Sequence, residues 1–150
     1  MISTTAEYAL RAIVAIAQSD GQAVVTPTIA DRTKVPAGYL PKILQLLRRA
    51  GLVDSKRGLG GGFTLTRPPS EISLLDIVDA VDPIKRIERC PLGLAAHGTN
   101  LCTLHRQLDQ AAEAVRTTFR NTTIQALLHV AGMNEPLDTI ELKLPKKQSR

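Results

Sequence analysis

The chain has no tryptophan, and only two tyrosines, two phenylalanines and two cysteines in 150 residues. With aromatics at 3%, the core has to be built from leucine, isoleucine, valine and alanine, the bulk of the 43% hydrophobic content. The two cysteines do not form a C-x-x-C motif, and neither has an obvious base beside it, which argues against a small thiol oxidoreductase. No apolar run is long enough to cross a bilayer. The N-terminal stretch MISTTAEYALRAIVAIAQ carries Glu7 and Arg11 and lacks both a basic n-region and a small-residue cleavage site. It therefore does not read as a signal peptide, and a cytoplasmic location is expected. Internal repeats and low-complexity segments are absent. The length suits one domain with a modest core, or one domain plus an arm.

What is present is positive charge, unevenly placed. The net charge is +5. Residues 1–70 hold nine Lys/Arg against four Asp/Glu, and residues 71–150 hold ten of each. The whole excess lies in the first half. A basic patch of this kind attracts a polyanion through phosphate neutralisation and counterion release, although many such patches are only solvated surface.

Periodicity sets out the elements. Thr4-x-x-Glu7 has the form of a capping box, and Ala6, Leu10, Ile13 and Ala17 share a helical face, predicting a helix over about 4–18. Asp20-Gly21 ends it. Thr26-Pro27 predicts an N-cap followed by a first-turn proline, with the second helix running to about Lys34. A third helix follows the Val35-Pro36-Ala37-Gly38 turn. It buries Leu40, Ile43, Leu44 and Leu47, and Pro41 keeps its start no earlier than about Ala37. Lys42, Gln45 and Arg49 share another face. Gly51 closes the helix. Two strands, about Leu52–Lys56 and Phe63–Thr66, flank a glycine-dense turn. Ser73-x-x-Asp76 starts a fourth helix and Pro83 stops it. Residues 84–100 read as irregular. Leu104, Leu108, Ala111, Val115 and Phe119 then mark one long helix from about Asn100 to Val130, ended by Gly132 and Pro136. Its apolar stripe needs a partner, and a second copy is the simplest one.

Three short helices and a β-hairpin predict a mainly α fold with a small hairpin wing: a winged helix-turn-helix plus a long dimerisation helix. The expected boundaries are a DNA-binding domain at 1–83, a cysteine-containing loop at 84–101, a dimerisation helix at 102–131 and a tail at 132–150. The third helix enters the major groove, reading with Ala37, Gly38, Tyr39 and Lys42. Thr28, early in the second helix, joins the DNA-contacting set. Lys56 and Arg57 stand at the hairpin tip, Arg57 towards the minor groove. Gly60 and Gly61, with Gly58 and Gly62, would let the backbone approach the sugar-phosphate chain. Tyr39 has a competing reading as a core aromatic. Arg48 and Arg49 read as a solvated helix end that suits the dipole. Three consecutive glycines exceed what a tight hairpin needs, which favours a DNA-contacting wing.

The chain resembles the Rrf2 family of bacterial transcription regulators. The residues that carry the resemblance are Tyr8-Ala9-Leu10-Arg11, Tyr39-Leu40 through Ala50-Gly51-Leu52-Val53, Arg57-Gly58-x-Gly60-Gly61-Gly62-Phe63 and Ile72-Ser73-Leu74-x-Asp76-Ile77. The match covers about residues 1–130. It implies a homodimer on a roughly palindromic double-stranded operator, in many members a repressor, and in many a sensor of iron–sulfur status, nitric oxide, redox state or a thiol metabolite.

Cluster-binding members carry C-x5-C-x5-C, some with a histidine three residues on. Laid on this chain, that pattern matches Cys90, Cys102 and His105, but its middle cysteine falls on Ala96, which cannot ligate. Three readings follow. A [2Fe–2S] cluster could be held by Cys90, Cys102 and His105, with His97 or Glu7 of the partner subunit as fourth ligand. Cys90 and Cys102 could form a reversible disulfide. The loop could also bind nothing, or a different small molecule. The cluster is placed first. Zinc is possible by ligand type, but C-x11-C-x2-H is not a common zinc spacing. The expected function is a DNA-binding regulator and not an enzyme. The alternatives are a small thiol–disulfide redox protein or a dimeric assembly module that does not bind DNA.

Overall fold

The computed structural model describes residues 2–97, 100–128 and 136–137. Among these, six α-helices and one hairpin follow in order, with short 3-10 turns at Pro69–Glu71 and Ala95–His97: α1 (Thr4–Ala17), α2 (Thr26–Thr33), α3 (Leu40–Arg49), β1 (Val53–Lys56), β2 (Gly62–Leu65), α4 (Leu74–Val81), α5 (Thr103–Arg120) and α6 (Ile124–Leu128). The tail cations Lys143, Lys146, Lys147 and Arg150, and the expected helix end near Val130, lie outside the described residues.

Helix α1 is the central post, packed against α2, α3, α4, α6 and β2. Ala6, Ala9 and all of 12–17 are buried, and the small alanines let neighbouring backbones come close. The cap differs from the expected one. Ser3 has the extended backbone a cap requires, and its hydroxyl accepts from the Ala6 N–H at 3.2 Å. Thr4 is already helical. Glu7 does not reach back but pairs with Arg11 one turn on.

Helix α2 is preceded by Val25, and Thr26 makes no side-chain cap. Thr33 is the only buried polar residue among those described. Its hydroxyl donates to the Ile29 carbonyl at 2.6 Å and accepts from the Val35 N–H at 3.3 Å. It thereby fixes the turn into α3. Ala37, Gly38 and Tyr39 form that turn, tied by the Tyr39 N–H to the Pro36 carbonyl at 2.9 Å. The helix proper starts at Leu40. Its end is a Schellman motif: Gly51, at φ +72, donates to the Arg48 carbonyl, and Leu52 donates to that of Leu47. This fixes the angle at which the chain leaves for β1.

The wing is antiparallel, with Val53 opposite Leu65, Ser55 opposite Phe63 and Lys56 opposite Gly62. Val24 adds a third edge by exchanging hydrogen bonds with Phe63 at 3.0 and 2.8 Å. Phe63 and Leu65 pack against the core. Helix α4 begins at Ser73 as expected, through a capping box in which Ser73 and Asp76 bond reciprocally.

The single long helix expected over about 100–130 is two helices. Asn121, Thr122 and Thr123 leave the helical path. The Leu74 N–H donates to the Thr122 carbonyl and the Ile124 N–H to the Ile72 carbonyl, both at 2.9 Å. Thr123 then caps α6 by accepting from the Ala126 N–H at 3.2 Å. The break sends Ile124, fully buried, into the core. Two tertiary backbone bonds, a cap and a buried isoleucine outweigh continuation through residues of modest helix propensity.

Candidate functional site

The exposed surface of α3 and the wing is cationic. Lys42 and Arg49 on α3, and Lys56 and Arg57 on the wing, are all exposed. Among the described residues none of the four forms an ion pair. Arg48 stands 3.9 Å from Asp54, a loose surface contact between α3 and β1. A shallow groove of about 240 Å³ runs between α3 and the wing, lined by Pro41, Gln45, Arg48, Ser55 and Phe63 with Thr26 from α2. Thr28 is exposed in the first turn of α2, and Ala37 and Gly38 are exposed on the turn that enters α3.

Tyr39 is not a core aromatic: it is 60% exposed. Its ring meets that of Tyr8 edge-on, with centroids 5.9 Å apart. Arg11 lies 5.7 Å over the Tyr8 ring and donates to the Thr33 carbonyl at 3.3 Å. Tyr8 and Arg11 therefore brace Tyr39 from behind. Neither was assigned a role from the sequence, although the i, i+4 spacing of Glu7 and Arg11 was readable there.

The glycine run has a structural cause within the hairpin itself. A Cβ on Gly61 would run into the Lys56 carbonyl and lie 2.7 Å from that of Gly58. Gly62 has φ +133, and a Cβ there would sit 2.6 Å from the Val24 carbonyl carbon and oxygen. Both are required by the hairpin and its bridge to Val24, so their number alone is no argument for a ligand.

The loop before α5 holds two thiol–imidazole pairs. Cys90 Sγ lies 3.5 Å from His97 Nδ1, and Cys102 Sγ lies 3.3 Å from His105 Nδ1. Both cysteines are free and half-buried. The hydrogen bond from His97, with further help from the backbone of Leu92 and Leu94, holds the Cys90 thiol below its ordinary value. Cys102 occupies the N-cap of α5. Among the described residues no three His, Cys, Asp or Glu side chains come together as a metal would need. The donor types suit an iron–sulfur centre, but they stand as two pairs, Ala96 contributes nothing, and Glu7 is engaged by Arg11. The expected grouping of Cys90, Cys102, His105 and His97 or Glu7 is not assembled within one chain.

Arginines strap this loop to both halves. Arg86 grips Asp109 at 2.6 Å and also meets Glu113, while the Ile87 N–H donates to Asp109 at 2.8 Å. Beside Arg86 the Asp109 carboxyl is pulled down to about 2. Arg116 forms a two-pronged pair with Asp79 of α4, at 2.9 and 3.1 Å, and donates to the Ile84 carbonyl at 3.0 Å. Helix α4 in turn packs on α1 and α3. In the opposite direction α5 buries no residue, and Leu104 and Leu108 are more than half exposed.

Comparison with known proteins follows the same lines. The model of the Rrf2 family, described as an iron-dependent transcriptional regulator, matches residues 2–130. The HTH-type transcriptional regulator IscR of Yersinia pseudotuberculosis (strain IP 31758) is 30% identical over 139 residues, covering 91% of this chain and 84% of its own. The structure of CymR (YrzC), the global cysteine regulator of B. subtilis, superposes with a TM-score of 0.69 at 28% identity, covering 85% of this chain and 95% of its own. The oxidised form of Staphylococcus aureus CymR gives 0.69 at 28%, covering 89% and 99%.

Proposed function

The chain belongs to the Rrf2 family and is a DNA-binding transcriptional regulator, not an enzyme; from that premise we propose that it acts as a homodimeric, thiol-responsive repressor. The observation that carries the reading is the set of four unpaired cations on α3 and the wing, beside a braced and exposed Tyr39. Tyr39 and Lys42 read base edges from α3 with Ala37 and Gly38 close to the duplex, Thr28 contacts phosphate, and Lys56 and Arg57 follow the wing to the minor groove. Close backbone approach at Gly60 and Gly61 completes the contact.

The apolar stripe of α5, from the exposed Leu104 and Leu108 to the half-buried Val115 and Phe119, pairs with its copy in a second chain. Two readers related by a two-fold axis then call for a roughly palindromic operator. A dimer filling both half-sites represses by occupying them. Among the described residues no helix is long and apolar enough to cross a membrane, and the working location is the cytoplasm.

The two thiol–imidazole pairs favour thiol chemistry over a [2Fe–2S] cluster, which would need donors that now stand apart to converge. A peroxide oxidises the Cys90 thiolate to a sulfenic acid, releasing water or an alcohol. The Cys102 thiol then condenses with it, releasing water and leaving a disulfide. Such a bond draws residue 90 towards the N-cap of α5. Arg86 and Arg116 carry the displacement to α5 and α4, and so towards α3. A relative solved in an oxidised form adds support to this reading.

The test uses duplexes enriched from a random 30-base-pair library by the purified protein. Arg57→Ala should lower affinity and reduce the slope of log K against log salt by about 1, with the oligomeric state unchanged. Full retention of binding would mean that the duplex is not held by this face, and a parent protein that enriches no duplex would mean an assembly module that does not bind DNA. For the sensor, peroxide should weaken operator binding by the parent but not by Cys90→Ala.

A further inference from the structure

Leu59 is the most exposed large hydrophobic residue among those described, at 103% of its reference area. A single exposed leucine on a flat surface is ordinary, but this one sits elsewhere. It stands at the tip of the wing, beyond the last paired residues Lys56 and Gly62. Its neighbours Gly58 and Gly60 are both at positive φ, and the Gly61 N–H closes the turn on the Gly58 carbonyl at 2.9 Å. Four of the five residues at 58–62 have no side chain, so nothing flanks Leu59. Leu59 is the only side chain on the bare tip, so it leads the wing towards any groove it approaches, such as the minor groove, about 6 Å wide. Lys56 and Arg57 deliver the tip to phosphate.

We propose that Leu59 is a specificity-determining residue: a leucine wedge that the wing inserts into the minor groove beside Arg57, selecting A·T over G·C pairs there. This rests on the proposed DNA reading and deepens it. The floor of an A·T pair carries only acceptors and the adenine C2–H, whereas guanine raises its N2 amino group into the same space. An apolar side chain that loses water in the groove is favoured over A·T and obstructed by that amino group. The turn is closed and the leucine has no intramolecular contact to give up, so insertion needs no rearrangement of the wing.

The experiment uses fluorescein-labelled duplexes enriched from a random library by the parent protein. The pairs under the wing, located by hydroxyl-radical footprinting, are then replaced by G·C or by inosine·C. Inosine removes only the N2 amino group and leaves the major groove as in G·C. For the parent, G·C should cost roughly tenfold in Kd and inosine·C should restore it. Leu59→Ala should weaken binding to the A·T duplex by roughly tenfold and discriminate less between G·C and inosine·C. Leu59→Met should keep most of the effect. Because Leu59 touches nothing in the free protein, the thermal midpoint of Leu59→Ala should equal the parent's. Equal G·C to inosine·C ratios for parent and Leu59→Ala, or affinities within twofold of each other, would overturn the wedge. If that happens while Arg57→Ala still loses binding, the DNA reading stands without it. If the parent enriches no duplex at all, both readings fail.

Discussion

Replacing Gly62 by alanine should unfold the wing's anchorage, whereas replacing Gly58 should only strain its tip. At Gly62 two costs coincide. The backbone is at φ +133, where an L side chain is strained by about 1–3 kcal/mol. The new Cβ would also sit 2.6 Å from the Val24 carbonyl carbon and oxygen and 2.9 Å from its nitrogen. These are backbone atoms and cannot swing aside. Relief requires the wing to separate from Val24, breaking the hydrogen bonds at 3.0 and 2.8 Å between Val24 and Phe63. Each is worth about 0.5–1.5 kcal/mol, and Phe63 loses packing as well. Gly62→Ala should therefore destabilise by on the order of 3–5 kcal/mol, a large share of the about 5–15 kcal/mol usual for a domain. Gly58 is at φ +90 with open space around its Cβ position, so Gly58→Ala should cost about 1–2 kcal/mol. Urea denaturation followed by circular dichroism gives both values. If Gly62→Ala lay within about 0.5 kcal/mol of the parent, or if both variants cost the same, the architectural account of the glycine run would fail.

Other perturbations probe the turn, the strap and the thiols. Thr33→Val keeps the shape but leaves the buried Val35 N–H without its acceptor, and should lower the unfolding free energy by about 1–3 kcal/mol in the same urea assay. Asp109 ionises far below the ordinary carboxylate value because of Arg86. Its stabilisation is fully present above about pH 4 and is lost as pH falls towards 2. The parent should therefore lose stability more steeply than Asp109→Asn between pH 4 and pH 2, and parallel curves would refute the strap. His97 is the main cause of the lowered Cys90 value. In a Cys102→Ala background, His97→Ala should slow alkylation of Cys90 by iodoacetamide at neutral pH, and an unchanged rate would remove the basis for a primed thiol.

Much of the reader domain was legible because its signals are local. The capping box at Ser73 and Asp76, the apolar spacing of α3 and the pairing face of Phe63 and Leu65 depend on neighbours a few residues away. The misreadings have non-local causes. Continuous periodicity from Leu104 to Phe119 gave no sign that Thr122 would bond to Leu74, or Ile124 to Ile72, about a third of the chain away. The three consecutive glycines of the wing look excessive in the sequence because the constraint on Gly62 comes from the Val24 backbone, nearly forty residues earlier. The cap at Ser3 was displaced by one residue, the usual uncertainty of a helix end. Cysteine spacing described a loop, but not which imidazole each thiol would meet: each meets its own histidine, seven and three residues on.

The charge split in the sequence acquires its meaning from the pairing in the structure. Residues 71–150 are neutral in sum, and the acids of α4 and α5 are engaged: Asp79 with Arg116, Asp109 and Glu113 with Arg86, and Glu113 again with Arg120. In the reader domain Glu7 neutralises Arg11 and Asp31 pairs with Lys34. Arg32 is spent internally, on the Ala15 carbonyl and the Gln18 side chain at the end of α1. After these pairings most of the cations left over in residues 1–83 lie together, Arg67, bonded to the Glu71 carbonyl, being the one that stands apart. Lys42, Arg49, Lys56 and Arg57 all belong to α3 and the wing, the two elements that the Schellman turn at Gly51 joins at a fixed angle. An intramolecular carboxylate on this face would compete with phosphate and weaken DNA binding. Asp54, the nearest, makes only the 3.9 Å contact with Arg48. The structure thus uses its acids to hold the cysteine-containing loop and α5 to α4, and leaves the cations of α3 and the wing without intramolecular carboxylates, as the proposed duplex contact requires.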